Sequence, residues 1–205
     1  GATPDDAAEY RAVLETLARV PEEPPRTFRE AVQTIWSVFG FQRLCGNWSG
    51  VGRIDKLLGP WLRRDLAEGR ITLDEARELI AHFWIKGAEW AGIGFDNGSG
   101  DAQFYQNIVL AGVDEEGREV ANEVTDLVLD VVEELRISDF PIAVRLSAAT
   151  PERLLRRVAE VQRLGGGIVA VYNEDRIIPN LLAFGYPLAE ARNFANDGCW
   201  EILIP

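Results

Sequence analysis

Apolar residues recur with two periods along this chain, and the change of period divides it. The first part reads as helices. Thr3-Pro4-Asp5-Asp6 offers a capping hydroxyl, a proline at the first helical position and acids in the first turn, which predicts a helix to about Arg19. Val20-Pro21-Glu22-Glu23-Pro24-Pro25 ends it. Thr27-Phe28-Arg29-Glu30 has the form of a capping box, and the helix it opens runs through Ile35, Trp36 and Phe39, apolar on most faces and so predicted to be buried. Gly52-Arg53-Ile54-Asp55 leads into Leu57, Leu58, Trp61 and Leu62. A second capping box, Thr72-Leu73-Asp74-Glu75, precedes Ala76, Leu79, Ile80, Phe83, Trp84 and Gly87 at spacings near three and four.

Past the Gly-rich stretch 91–101, short apolar runs alternate with helical stripes. Runs 106–112, 141–146 and 168–172 predict buried strands. Asp114-Glu115-Glu116-Gly117 is turn chemistry. Val120, Val124, Leu127, Val128, Val131 and Leu135 form one helical stripe, with acids opposite that read as a solvated face. Thr150-Pro151-Glu152 is expected to cap a helix to Leu164, which Gly165-Gly166-Gly167 stops. Further helices are expected around 177–183 and from Pro187 to about Phe194, before a closing loop. Strands separated by amphipathic helices argue for an α/β layer and one domain over 1–205: an N-terminal helix and Pro-rich linker (1–26), helices and strands (27–195), and a loop (196–205).

Charge and cysteine content narrow the function classes. Thirty-three acidic against 21 basic residues give a net charge of −12 and argue against a nucleic-acid surface. The expected setting is the cytoplasm: two distant cysteines are no disulfide framework, the first residues lack the apolar core of a signal peptide, and no apolar run is long enough for a membrane span. The absence of any Met fits a chain excised from something longer.

Candidate chemistry gathers at the end, in Asn196-Asp197-Gly198-Cys199-Trp200-Glu201. A nucleophilic cysteine needs a base, usually His, and the one His, His82, lies among apolar helical positions over a hundred residues away. A zinc site would need more Cys or His than the chain holds, so no metal is expected. The Gly-rich segment Cys45–Gly52 lacks the lysine and strand-loop-helix context of a phosphate loop. Acidic neighbours disfavour a thiolate, yet a protonated thiol remains a good hydrogen-atom donor, which points to radical chemistry beside a carboxylate. An inert buried cysteine is the competing reading.

A resemblance sharpens this. Thr27-Phe28-Arg29-Glu30-Ala31, Gly52-Arg53-Ile54-Asp55, Gly69-Arg70-Ile71-Thr72, Trp84-Ile85-Lys86, Gln106-Asn107-Ile108-Val109-Leu110, Val144-Arg145-Leu146, Tyr172-Asn173-Glu174-Asp175 with Ile178-Pro179, and Gly198-Cys199-x-Glu201 together resemble the glycyl radical enzymes. The resemblance implies half of a ten-stranded α/β barrel with helices outside short strands and the Cys loop inside. It implies Cys199 as the thiyl residue and Glu201 as general base of a dehydratase, decarboxylase or C–N lyase. Gly198 stands where pyruvate formate-lyase has the first of two cysteines, which disfavours that chemistry. Asn47 and Trp48 occupy the positions of a His and Ser that polyol dehydratases use, marking them as substrate-binding candidates and leaving room for a flatter or larger substrate than a small diol.

The family's radical-bearing glycine motif has no match here. The expectation is therefore a fragment, inactive alone, that binds no cofactor itself. It would work with the missing C-terminal half, whose glycyl radical a radical-SAM activase installs, on a small organic substrate and in a homodimer. The alternative is a non-catalytic half-barrel module that dimerises or docks on a partner chain.

Overall fold

A computed structural model describes residues 4–45, 50–88, 106–137, 140–165, 169–198 and 200–204. Helices α1 (Pro4–Leu17), α2 (Phe28–Leu44), α3 (Ile54–Ala67) and α4 (Leu73–Ala88) precede most of the sheet. Strands β1 (Gly52–Arg53), β2 (Ile108–Ala111), β3 (Ile142–Leu146) and β4 (Val169–Asn173) lie side by side in that order, all parallel. Helices α5 (Glu123–Leu135), α6 (Glu152–Gln162), α7 (Glu174–Ala183) and α8 (Leu188–Arg192) follow β2, β3 and β4. The chain closes on an antiparallel hairpin, β5 (Ala195–Asp197) with β6 (Glu201–Leu203).

Local signals set most helix ends. Thr72 and Glu75 cap α4 reciprocally: Glu75 N donates to Thr72 Oγ1 at 3.2 Å, and Thr72 N to the Glu75 carboxylate at 2.8 Å. At α2 only half of the expected box forms. Glu30 N donates to Thr27 Oγ1, but the Glu30 carboxylate reaches one residue further back, to Arg26 N, and Asp65 takes the donor of Phe28 at 2.6 Å. Thr150 does not cap α6; its hydroxyl accepts from Ser147 N, and Pro151 occupies the cap position. Val120 lies outside α5, whose cap is Asn122. The acids of α5 are paired rather than merely solvated: Asp126 with Arg153, Asp130 and Glu133 with Arg157, and Glu134 with Arg77. The last predicted helix shrinks to the five residues of α8.

The sheet has two unlike faces. Because side chains alternate along a strand, Ile108, Leu110, Ile142 and Val144 enter the main core, packed against Phe28, Leu58, Ile80, Trp84, Val128 and Val158 from the helices. The opposite face carries Arg53, Val109, Ala143, Arg145 and Tyr172, and the hairpin segment covers it through Ala191, Phe194 and Ile202. A parallel sheet is ordinarily covered by helices on both faces; on this face the cover is α7, α8 and the hairpin. No described helix is long and apolar enough to cross a membrane.

Candidate functional site

The hairpin crosses the inner face of the sheet from one end to the other. Its base is held beside the C-terminal ends of the strands. Arg145 of β3, with no exposed side-chain surface, donates from Nη1 to Phe194 O at 2.8 Å and from Nη2 to Arg192 O at 2.6 Å. The same guanidinium pairs with the buried Glu174 carboxylate and lies 3.9 Å from the Phe194 ring centre. Asn193, between these residues, accepts through Oδ1 from Arg53 Nη1 at 3.1 Å and Lys56 Nζ at 2.9 Å. Burial, with the charge of Arg53 alongside, pulls the Arg145 guanidinium down to about 10, and burial lowers Arg53 as well.

The tip is held from both ends of the sheet, because Tyr172 on β4 is the register partner of Arg145 while Asn107 precedes β2. Asn107, just before β2, donates from Nδ2 to Gly198 O at 3.2 Å, and Tyr172 Oη donates to Trp200 O at 2.8 Å. Burial, aided by the nearby Glu201 charge, pushes the Tyr172 phenol up to about 12. The Asn196 side chain makes no hydrogen bond of normal geometry, though it lies close enough to Tyr172 to favour the phenolate slightly. Gly198 at φ 55° and Trp200 at φ 80° both take the left-handed region, a strained choice for tryptophan that the Tyr172 bond helps to hold.

Two carboxylates flank the turn. Asp197 and Glu201 are register partners across the hairpin, so their side chains leave the same face. The Glu201 carboxylate folds back over Gly198, where a Cβ would lie 2.6 Å from Oε2. The glycine is therefore required by space as well as by φ. Burial raises the Asp197 pKa and the Glu201 charge adds to it. The N–H groups of Gly198 and Gly50 oppose the rise, yet Asp197 Oδ1 itself lacks a hydrogen bond of normal geometry. A Cβ on Gly50 would lie 2.9 Å from that oxygen.

Of the residues singled out by sequence, Glu201 is thus placed, exposed, at the hairpin tip. Cys199, Asn47 and Trp48 lie outside the described residues. Gly198 and Trp200, the sequence neighbours of Cys199, are described, and Gly50, two residues after Trp48 in sequence, reaches Asp197. His82 is exposed rather than among the core positions, on a groove of about 1020 Å³ between α1, α2 and α4, and no hairpin residue lines that groove. Among the described residues no cluster of metal-binding side chains occurs. Arg145, Glu174, Asn107 and Tyr172 all lie in motifs that carry the resemblance, but the sequence reading gave them no role in holding the hairpin. For Arg145 a signal existed: a charge set in the middle of an apolar run.

Residues 2–205 match the family model for pyruvate formate lyase-like proteins. The chain belongs to this family of glycyl radical enzymes. It is 34% identical to an isethionate sulfite-lyase of Nitratidesulfovibrio vulgaris over 98% of this chain and 25% of the relative. It is 32% identical to a trans-4-hydroxy-L-proline dehydratase of Clostridioides difficile over 92% of this chain and 25% of the relative. A solved structure concerned with 1,2-propanediol dehydration in Roseburia inulinivorans superposes with a TM-score of 0.91 at 28% identity, covering all of this chain and 26% of that one. This pyruvate formate lyase-like chain thus spans about a quarter of the length of the relatives it matches. The four parallel strands with their outer helices are part of the glycyl radical enzyme barrel, as expected.

Proposed function

We propose that this chain carries the thiyl-cysteine and general-base portion of a glycyl radical lyase. The observation that carries the reading is the hairpin turn: Glu201 folds over Gly198, directly before Cys199, on a support that grips both ends of the hairpin. In this reading a glycyl radical elsewhere in the complete polypeptide, installed by a radical-SAM activase, generates the thiyl at Cys199. The sulfur takes a hydrogen atom from a substrate carbon, forming S–H and a carbon radical. Glu201 takes a proton from the neighbouring heteroatom as the leaving group departs with its electron pair, and the product radical recovers hydrogen from the thiol. Asn47 and Trp48 contact the substrate, in keeping with the approach of Gly50 to Asp197. A second cysteine in place of Gly198 would drive its Cβ onto Glu201, which supports elimination chemistry over formate-lyase chemistry.

The outer edge of β4, paired on one side only among the described strands, would join the rest of the barrel. The test uses the complete polypeptide, activated anaerobically. Trial substrates are isethionate, trans-4-hydroxy-L-proline and 1,2-propanediol, named for the relatives. Cys199→Ser should keep the glycyl EPR signal and abolish turnover, and Glu201→Gln should keep the signal and lower turnover by about two to four orders of magnitude. Turnover that survives either change refutes the corresponding role.

A further inference from the structure

Arg145 belongs to no part of the chemistry proposed above, yet it is the most completely enclosed charge in the sheet. A buried ion pair is poor evidence for stability, because taking both charges out of water costs about as much as their attraction returns, and apolar replacements are often as stable. What a guanidinium supplies and an apolar side chain cannot is direction. Its planar fork fixes two acceptors at set angles, and here both are main-chain carbonyls of the segment entering the hairpin, Arg192 O and Phe194 O.

The fork is itself held. Glu174 at the start of α7 pairs with Nη2 while the same carboxylate oxygen accepts from Val113 N at 3.1 Å, tying the strut to the strand that precedes it. The Phe194 ring closes one face. Gly112, at φ 74°, leaves the space the pair occupies: a Cβ there would overlap Glu174 Oε1 and come within 2.7 Å of Arg145 Nε. Arg145 of β3, Glu174 of α7, Gly112 just after β2 and Phe194 just before β5 thus converge to set one short piece of backbone that ends four residues ahead of Gly198.

We propose that Arg145, oriented by Glu174, is a positioning residue that fixes where the Gly198–Glu201 turn sits on the sheet. Its effect on turnover rests on the reading of Cys199 and Glu201 given above; its effect on the hairpin does not. Hydrogen exchange of the complete polypeptide, read peptide by peptide, separates this role from general stabilisation. Arg145→Lys keeps the charge but cannot span both carbonyls and Glu174. It should speed exchange in peptides covering 192–204 by about tenfold or more while peptides from β2 and β3 stay unchanged. In the activated enzyme kcat should fall by roughly ten- to a hundredfold with KM within about twofold and the glycyl EPR signal intact.

Uniform acceleration throughout the chain, or no change at 192–204, overturns the proposal. Should Arg145→Lys not fold, Glu174→Gln keeps the volume and the Val113 acceptor and should give a smaller acceleration confined to the same peptides; none there overturns it equally. A wild-type polypeptide with no radical and no turnover would defeat the functional reading alone, and the exchange pattern would still decide the strut.

Discussion

Replacing Gly112 by alanine tests the enclosure of the Arg145–Glu174 pair in a single methyl group. Two costs add. An L-residue at φ 74° loses about 1–2 kcal/mol against glycine. The new Cβ also falls on Glu174 Oε1. Either the carboxylate retreats from Arg145, or the backbone swings and releases Val113 N from Glu174 and Val120 N from Gly112 O, bonds of 3.1 and 2.8 Å. Removing one partner of a buried pair outright costs about 3–5 kcal/mol, so displacing it is assigned about 2 kcal/mol.

The expected loss is then about 3–4 kcal/mol, or roughly 6–16 °C in Tm for a chain of this size. Gly69 supplies the control: it sits at φ 67° with nothing within 4 Å of its Cβ position. Gly69→Ala should therefore cost only the backbone share, about 1–2 kcal/mol. Urea unfolding of both variants isolates the packing contribution as their difference. Equal losses in the two would refute the reasoning, since the space at Gly112 would then not matter.

Three further outcomes are expected. Gly87→Ala should destabilise by about 1–3 kcal/mol despite the helix propensity it gains, because the Phe140 ring fills the Cβ position and is hemmed by Phe83 and Trp84 at 5.3 and 5.0 Å; urea midpoints alone and with Phe140→Leu, which should restore part of the loss, check this. Tyr172→Phe leaves Trp200 O without its donor and should cost about 1 kcal/mol in the same assay, with faster exchange confined to the hairpin. Asp55, fully buried, is pushed up to about 6 by that burial against bonds from Ala111 N, Thr125 Oγ1 and Lys56 N. Its folded pKa exceeds the ordinary value near 4, so the folded state holds the extra proton between about pH 4 and 6. This group's contribution is present below that window and is lost, by up to about 3 kcal/mol, as pH rises through it. Unfolding free energies at pH 4.5, 5.5 and 7 should show that slope in the wild type and its absence in Asp55→Asn.

The elements with strong local grammar could be read directly. Thr72 and Glu75 announce α4 because capping depends on neighbours in sequence, and the runs at 108–111 and 142–146 announce β2 and β3 because both faces of those strands are covered. What escaped depends on distant partners. β1 is two residues long and is a strand only because Gly52 and Arg53 pair with Ile108 and Val109. The closing segment looks like a loop until Ala195 meets Leu203 across it. Arg145 gives no hint of its purpose without Glu174, 29 residues on, and Arg192 and Phe194 beyond that. The site was legible as a cluster of residue types, Gly198-Cys199-Trp200-Glu201; how that cluster is mounted was not.

The mount grips peptide oxygens. Arg145 takes Arg192 O and Phe194 O, Asn107 takes Gly198 O and Tyr172 takes Trp200 O. Every residue possesses a carbonyl, so these contacts make no demand on which side chains the turn displays. A socket of this kind leaves the side chains at 197, 200 and 201 open to substitution without the support being rebuilt. It behaves as an interchangeable tool holder, gripping the turn by what all residues share and leaving its side chains free to vary.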